Sequence, residues 1–140
     1  MNVVITLPQN LWCLMLEGKK TAEIRKTIPF KFDERKDVVF INLKGHKQIV
    51  GYLSGLDIQP WFPHHWLNWS DVEHTETDSM RIGERCGVPT DWIRRYLGDK
   101  TMLWAWCFDK VHRLDNPIDL SEIVPSGKAP QSYVYTDYRI

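Results

Sequence analysis

The chain opens with Val3, Val4, Ile5 and Leu7, a β-rich run that stops at Pro8 and predicts a first strand. From Gln9 onward Leu11, Trp12, Leu14, Met15 and Leu16 recur at helical spacing, and Gly18 follows as a stop, so a short amphipathic helix comes next. Thr21 to Arg25 then alternates polar and apolar, which predicts a half-buried strand. Thr21, Glu23 and Arg25 share one of its faces, and Ala22 and Ile24 share the other. The run Val38–Leu43 is β-branched and aromatic throughout and reads as a central strand. Residues 44–47 supply a hairpin turn into a strand over 49–58, where Gly51 and Gly55 mark a bend or a bulge. Residues 60–79 are rich in Trp, His and Pro and irregular. A helical pair follows at about 79–86 and 89–97, with Pro89 and Asp91 at a helix start and Gly98 at its stop. Residues 101–113 alternate as one long strand, and a short β segment falls near Tyr133, Val134 and Tyr135.

Five or six strands, a helix after the first of them and one or two helices inserted later predict an α+β domain built on a small β-barrel. At 140 residues the chain is one domain, 1–140, with a Trp-rich irregular and helical insertion at about 60–100. Cys13, Cys86 and Cys107 are widely spaced with no CxxC pair, which fits a reducing cytoplasm and argues against a disulfide scaffold or a zinc ribbon. No signal-peptide pattern and no apolar run long enough for a membrane span appear, so a cytoplasmic chain with no membrane partner is expected.

Charge changes the picture more than composition does. The total is 18 basic against 18 acidic residues, which excludes nucleic-acid binding by bulk charge. The distribution is uneven, however. Residues 1–47 carry nine basic and five acidic residues, 48–79 carry five acidic and no Lys or Arg, and 80–140 carry nine and eight. A local basic face and an acidic flap are both compatible with a neutral sum.

The segment from Leu16 to Lys26, with Gly18, Lys20, Glu23 and Arg25 in register, resembles the G-x-K-x-x-E-x-R signature of the ASCH domain family in the PUA-like superfamily. Ile49–Leu53, with a glycine between apolar residues, looks like that family's following strand. Ala129-Pro130-Gln131-Ser132-Tyr133 is similar to a P-Q-S-aromatic element near the end of many longer members. Together the likeness spans most of the chain. It implies a PUA-like barrel with a cleft beside the first helix, lined by the Lys/Glu/Arg signature. It also implies RNA, a single-stranded nucleic acid or a modified nucleoside or nucleotide as partner. Some relatives resemble hydrolases, one acting on acetylated cytidine and one a ribonuclease.

These side chains suit such a ligand. Arg25 presents a planar donor fork for phosphate or a base edge. Glu23 can accept from an exocyclic amine or act as a general base. Lys20 offers a point charge, or a nucleophile or base in its neutral form. Read from spacing alone, the same residues make an ordinary surface ion pair. Thr21 lies on the same strand face. Gln131 and Ser132 can bond a base edge, Tyr133 or Tyr135 can stack on it, and Lys128 can meet a phosphate. The binding set is therefore Lys20, Thr21, Glu23, Arg25, Lys128, Gln131, Ser132 and Tyr133, with Lys20 and Glu23 the working pair if the chain hydrolyses an amide or a phosphodiester. In the amidohydrolase relative the position matched by Glu23 is a threonine, proposed as nucleophile, so inheritance of that chemistry meets an obstacle here.

The remaining aromatic residues read more simply. Trp12, Trp104 and Trp106 are core, and Trp92 docks the later helix. Trp61, Phe62, Trp66 and Trp69, with His64 and His65, form a packed flap or, in a third reading, a protein-interaction surface. His64, His65 and His74 lack structural-zinc spacing, so no metal and no cofactor are expected.

Overall fold

The β-rich opening forms β1 (Asn2–Leu7), buried on both faces, and Pro8 ends it at the N-cap of α1 (Gln9–Leu16). The computed structural model describes residues 1–63 and 78–140, the side chains of 78–81 excepted. After β2 (Ala22–Arg25) come β3 (Val39–Leu43), β4 (Gln48–Ser54) and β5 (Asp57–Trp61). Two helices follow, α2 (Asp78–Arg85) and α3 (Thr90–Leu97). The chain then continues through β6 (Leu103–Cys107), β7 (Lys110–Asp119), a single turn α4 (Leu120–Ile123) and β8 (Val134–Thr136).

The α+β class and barrel-like build hold, with eight strands among the described residues. They divide between two sheets and do not close into one ring: a five-stranded sheet ordered β7-β4-β3-β1-β8 and a three-stranded sheet ordered β2-β6-β5. β1 pairs parallel with β3, from Val3 opposite Val39 to Leu7 opposite Leu43, and every other pairing is antiparallel. Val3, Ile5, Val39 and Ile41 pack with Trp12 and Met15 of α1 and with Trp106 of the smaller sheet, which makes the central core. Val4 and Phe40 face the opposite way, toward Leu120 and Ile123 of α4. A third cluster joins Ala22 and Ile24 of β2 to Ile82 and Cys86 of the α2 region and to Ile93 and Leu97 of α3.

Gly51 explains how α1 is seated. A Cβ there would lie 2.3 Å from the His112 carbonyl and 2.5 Å from the Trp12 ring, so only glycine lets the indole lie against β4. The expected bulge is present beside it, as a register shift between Ile49 and Gly51.

Three sequence expectations need correction, and the first is the single strand over 49–58, which is two strands, β4 and β5, in different sheets. Residues 101–113 are two strands, because the chain leaves the smaller sheet at Phe108 and enters the larger one at Lys110. The Asp109 amide bonds the Ser54 carbonyl at 3.1 Å, next to Gly55, where β4 and β5 part company between the same two sheets. The apolar run Leu103–Phe108 gives way there to the charged pair Asp109 and Lys110, which is the mark of the crossing in the sequence. β2 is also buried at all four positions rather than on one face. The polar residues of its second face are enclosed because they are paired, as described next.

Candidate functional site

β2 is an edge strand, with β6 as its one strand partner among the described residues. The backbone groups on its other edge must be satisfied by something else. Lys20 and Glu23 do this. The Lys20 ammonium donates to the Ala22 carbonyl at 2.8 Å and to the Cys86 carbonyl, and it stands 3.2 Å from Glu23 Oε1. Glu23 Oε1 also accepts the Ile24 amide at 3.2 Å, and Oε2 accepts Arg25 Nη2 at 2.9 Å. Arg25 Nη1 donates to the Ser132 carbonyl at 2.9 Å, and Nη2 lies 3.5 Å from the Thr6 carbonyl. The three side chains thus form one buried chain, ammonium to carboxylate to guanidinium, that ties β2 to α2, β1 and the C-terminal segment.

Gly87 makes room for it. Its φ of +75° turns the backbone after α2, and a Cβ there would come within 3.3 Å of Lys20 and Leu14.

Lys20 is 1% exposed and Glu23 6%. Burial pushes the Glu23 carboxyl up, but the adjacent Lys20 and Arg25 charges and their hydrogen bonds outweigh it and hold the group below the ordinary carboxylate range. Glu23 is therefore ionised at neutral pH and its charge is spent on two cations. All three N–H bonds of the Lys20 ammonium have acceptors in reach, which makes it a structural donor. Arg25 Nε differs, being buried without a partner among the described residues.

Lys20, Glu23, Arg25 and Gln131 line one cavity of about 310 Å³. Its walls come from the end of β1 and the start of α1 (Thr6, Leu7, Pro8, Leu11), from Cys86 and Val88 after α2, and from Trp92 and Tyr96 on α3. The hollow expected beside the first helix is present, with Lys20, Glu23 and Arg25 all among its lining residues.

Other residues named from the sequence stand off it. The Thr21 hydroxyl accepts Arg85 Nε at 2.8 Å. Ser132 contributes its backbone carbonyl to Arg25, while its hydroxyl lies 3.5 Å from that of Thr27. Tyr133 leans on Trp106, and its hydroxyl donates to the Ile28 carbonyl at 3.1 Å. Lys128 is exposed on a loop. Of the aromatic flap, Trp61 is core and Phe62 is exposed. Trp66, Trp69, His64, His65 and His74 lie outside the described residues.

Sequence reasoning missed Lys44, Trp92 and Tyr96 as lining residues. Trp92 does not bury itself to dock α3; it is 37% exposed and stacks on Tyr96 with ring centroids 4.8 Å apart. Ile93 and Leu97 dock the helix instead. The usable signal was the i, i+4 spacing of two aromatics on a helix already anchored by another stripe. All three cysteines are free, and no cluster that could hold a metal ion occurs among the described residues. No helix among them is long and apolar enough to cross a membrane.

No protein-family model matches the chain, and a search of curated proteins finds no match. Solved structures do match. The ASCH protein of Zymomonas mobilis superposes with a TM-score of 0.69 at 23% identity, over 96% of this chain and 86% of that one. Two mutant forms of the same protein give TM-scores of 0.71 and 0.69 at 22% and 23% identity, covering 87% and 88% of their chains. The chain therefore has the fold of an ASCH protein.

Proposed function

We propose that this ASCH-fold chain is a binding module that seats one unit of RNA, of another single-stranded nucleic acid, or a modified nucleoside or nucleotide in the cavity floored by Lys20, Glu23 and Arg25. The observation that carries the reading is a hollow whose lining brings Lys20 and Arg25 together with Gln131 and two aromatic rings, those of Trp92 and Tyr96. Cations, an amide and ring faces are the groups that a nucleotide's phosphate, base edge and base face pair with. The cavity volume falls at the low end of small-molecule sites and suits one planar unit better than a duplex. Zero net charge agrees with a small footprint, since long non-specific tracts are held by many phosphate contacts.

Hydrolysis by a Lys20–Glu23 pair is the weaker reading. It needs a free amine or a carboxylate able to take a proton, and both groups are already committed to partners. Thermal-shift screening against modified nucleosides and short single-stranded oligonucleotides tests the proposal. At least one ligand class should raise the melting temperature of the wild-type chain and fail to raise that of Arg25→Ala. A flat response across the panel would refute it.

A further inference from the structure

The signature side chains are saturated by one another, so discrimination between ligands has to come from lining groups that are still uncommitted. Two such groups stand out. Trp92 and Tyr96 present a stacked pair on the cavity wall, with Lys26 Nζ 4.7 Å from the Tyr96 ring centroid, holding that ring from the strand side. Trp92 keeps more than a third of its surface exposed, unusual for an indole already stacked on a neighbour. Lys44 is an exposed lining cation that makes no ion pair among the described residues. Its backbone amide is pinned to the Leu7 carbonyl at 2.8 Å, which fixes it at the end of β1.

Resting on the binding reading above, we infer that the cavity takes a nucleotide rather than a bare nucleoside: the base stacks on Trp92, and Lys44 meets the phosphate. The charge of the lining supports this choice. Lys20, Arg25 and Lys44 face a single carboxylate, Glu23, so the hollow carries a surplus of positive charge that a neutral nucleoside leaves unanswered. An indole face is tolerant of base identity. The inserted helix α3 therefore supplies grip, and Gln131 is left to read the base edge.

Calorimetric titration of the wild-type chain with the four ribonucleosides and their four 5′-monophosphates tests this. At least one monophosphate should bind about tenfold more tightly than its nucleoside, and Lys44→Ala should erase that advantage. Trp92→Ala should weaken both forms about tenfold, and Trp92→Phe should restore most of the loss. Both residues are exposed, so circular dichroism should show both variants folded. Equal affinity for nucleoside and monophosphate, or wild-type affinity in Trp92→Ala, overturns this inference. If in that case Arg25→Ala still abolishes binding, the broader reading survives. If none of the eight compounds binds, this inference falls, and the broader reading stands or falls on the modified nucleosides and oligonucleotides of the thermal-shift screen.

Discussion

β1 and β2 both border the cavity, and both are buried along nearly their whole length, yet they are buried by opposite means. β1 is enclosed by shape: Val3, Val4, Ile5 and Leu7 fill the space between two layers and leave no charge to answer for. β2 is enclosed by pairing. Half of its four residues are ionised, and each is hidden only because the next group in the Lys20–Glu23–Arg25 chain neutralises it. The apolar strand fails gradually as volume is lost, whereas the charged strand fails abruptly when one partner is removed.

The largest effect should come from the middle of the charged chain. Glu23→Gln leaves two buried cations without a counter-charge and should destabilise the protein by about 3–5 kcal/mol, measured by urea denaturation. The same group sets an acid limit. Its folded-state value lies below its unfolded one, so its contribution is full above the ordinary carboxylate range and is lost as pH falls through the lowered value. Stability should be insensitive to this group near neutrality and decline in acid, and Glu23→Gln should flatten that decline. Ile5→Val, an equally buried site on the apolar strand, should cost only about 0.5–1.5 kcal/mol with no change in acid behaviour. Lys128→Ala, on an exposed loop away from both strands, should stay within about 0.5 kcal/mol of wild type and leave ligand binding intact. A Glu23→Gln protein as stable as Ile5→Val would break the contrast.

The sequence made these two strands legible to different depths. β1, α1, β3 and the α2–α3 pair follow from hydrophobic period and from Pro8, Pro89 and Gly98 as punctuation, because local pattern decides them. That Glu23 and Arg25 share a face also follows from the period of a strand. Their burial does not, since it depends on Lys20 folding back over the strand edge and on the Cys86 carbonyl arriving from far along the chain. The role of Ser132 was hidden for a related reason: it acts through a backbone carbonyl, which every residue type possesses. The crossing at Phe108 and Asp109 is marked only by the charged pair Asp109 and Lys110 after an apolar run, and the exposure of Trp92 depends on Ile93 and Leu97 having already taken the docking face of α3.

The central claim is that the hollow above the buried chain is a binding site that counts the Arg25 donor among its lining residues. Nitrogen-15 NMR titration with the tightest-binding ribonucleoside monophosphate observes that donor directly. The account predicts that the Arg25 Nε–H and Trp92 indole resonances move together and saturably, while the Lys128 amide stays in place. A titration in which Arg25 Nε–H is unmoved while resonances elsewhere respond would contradict it.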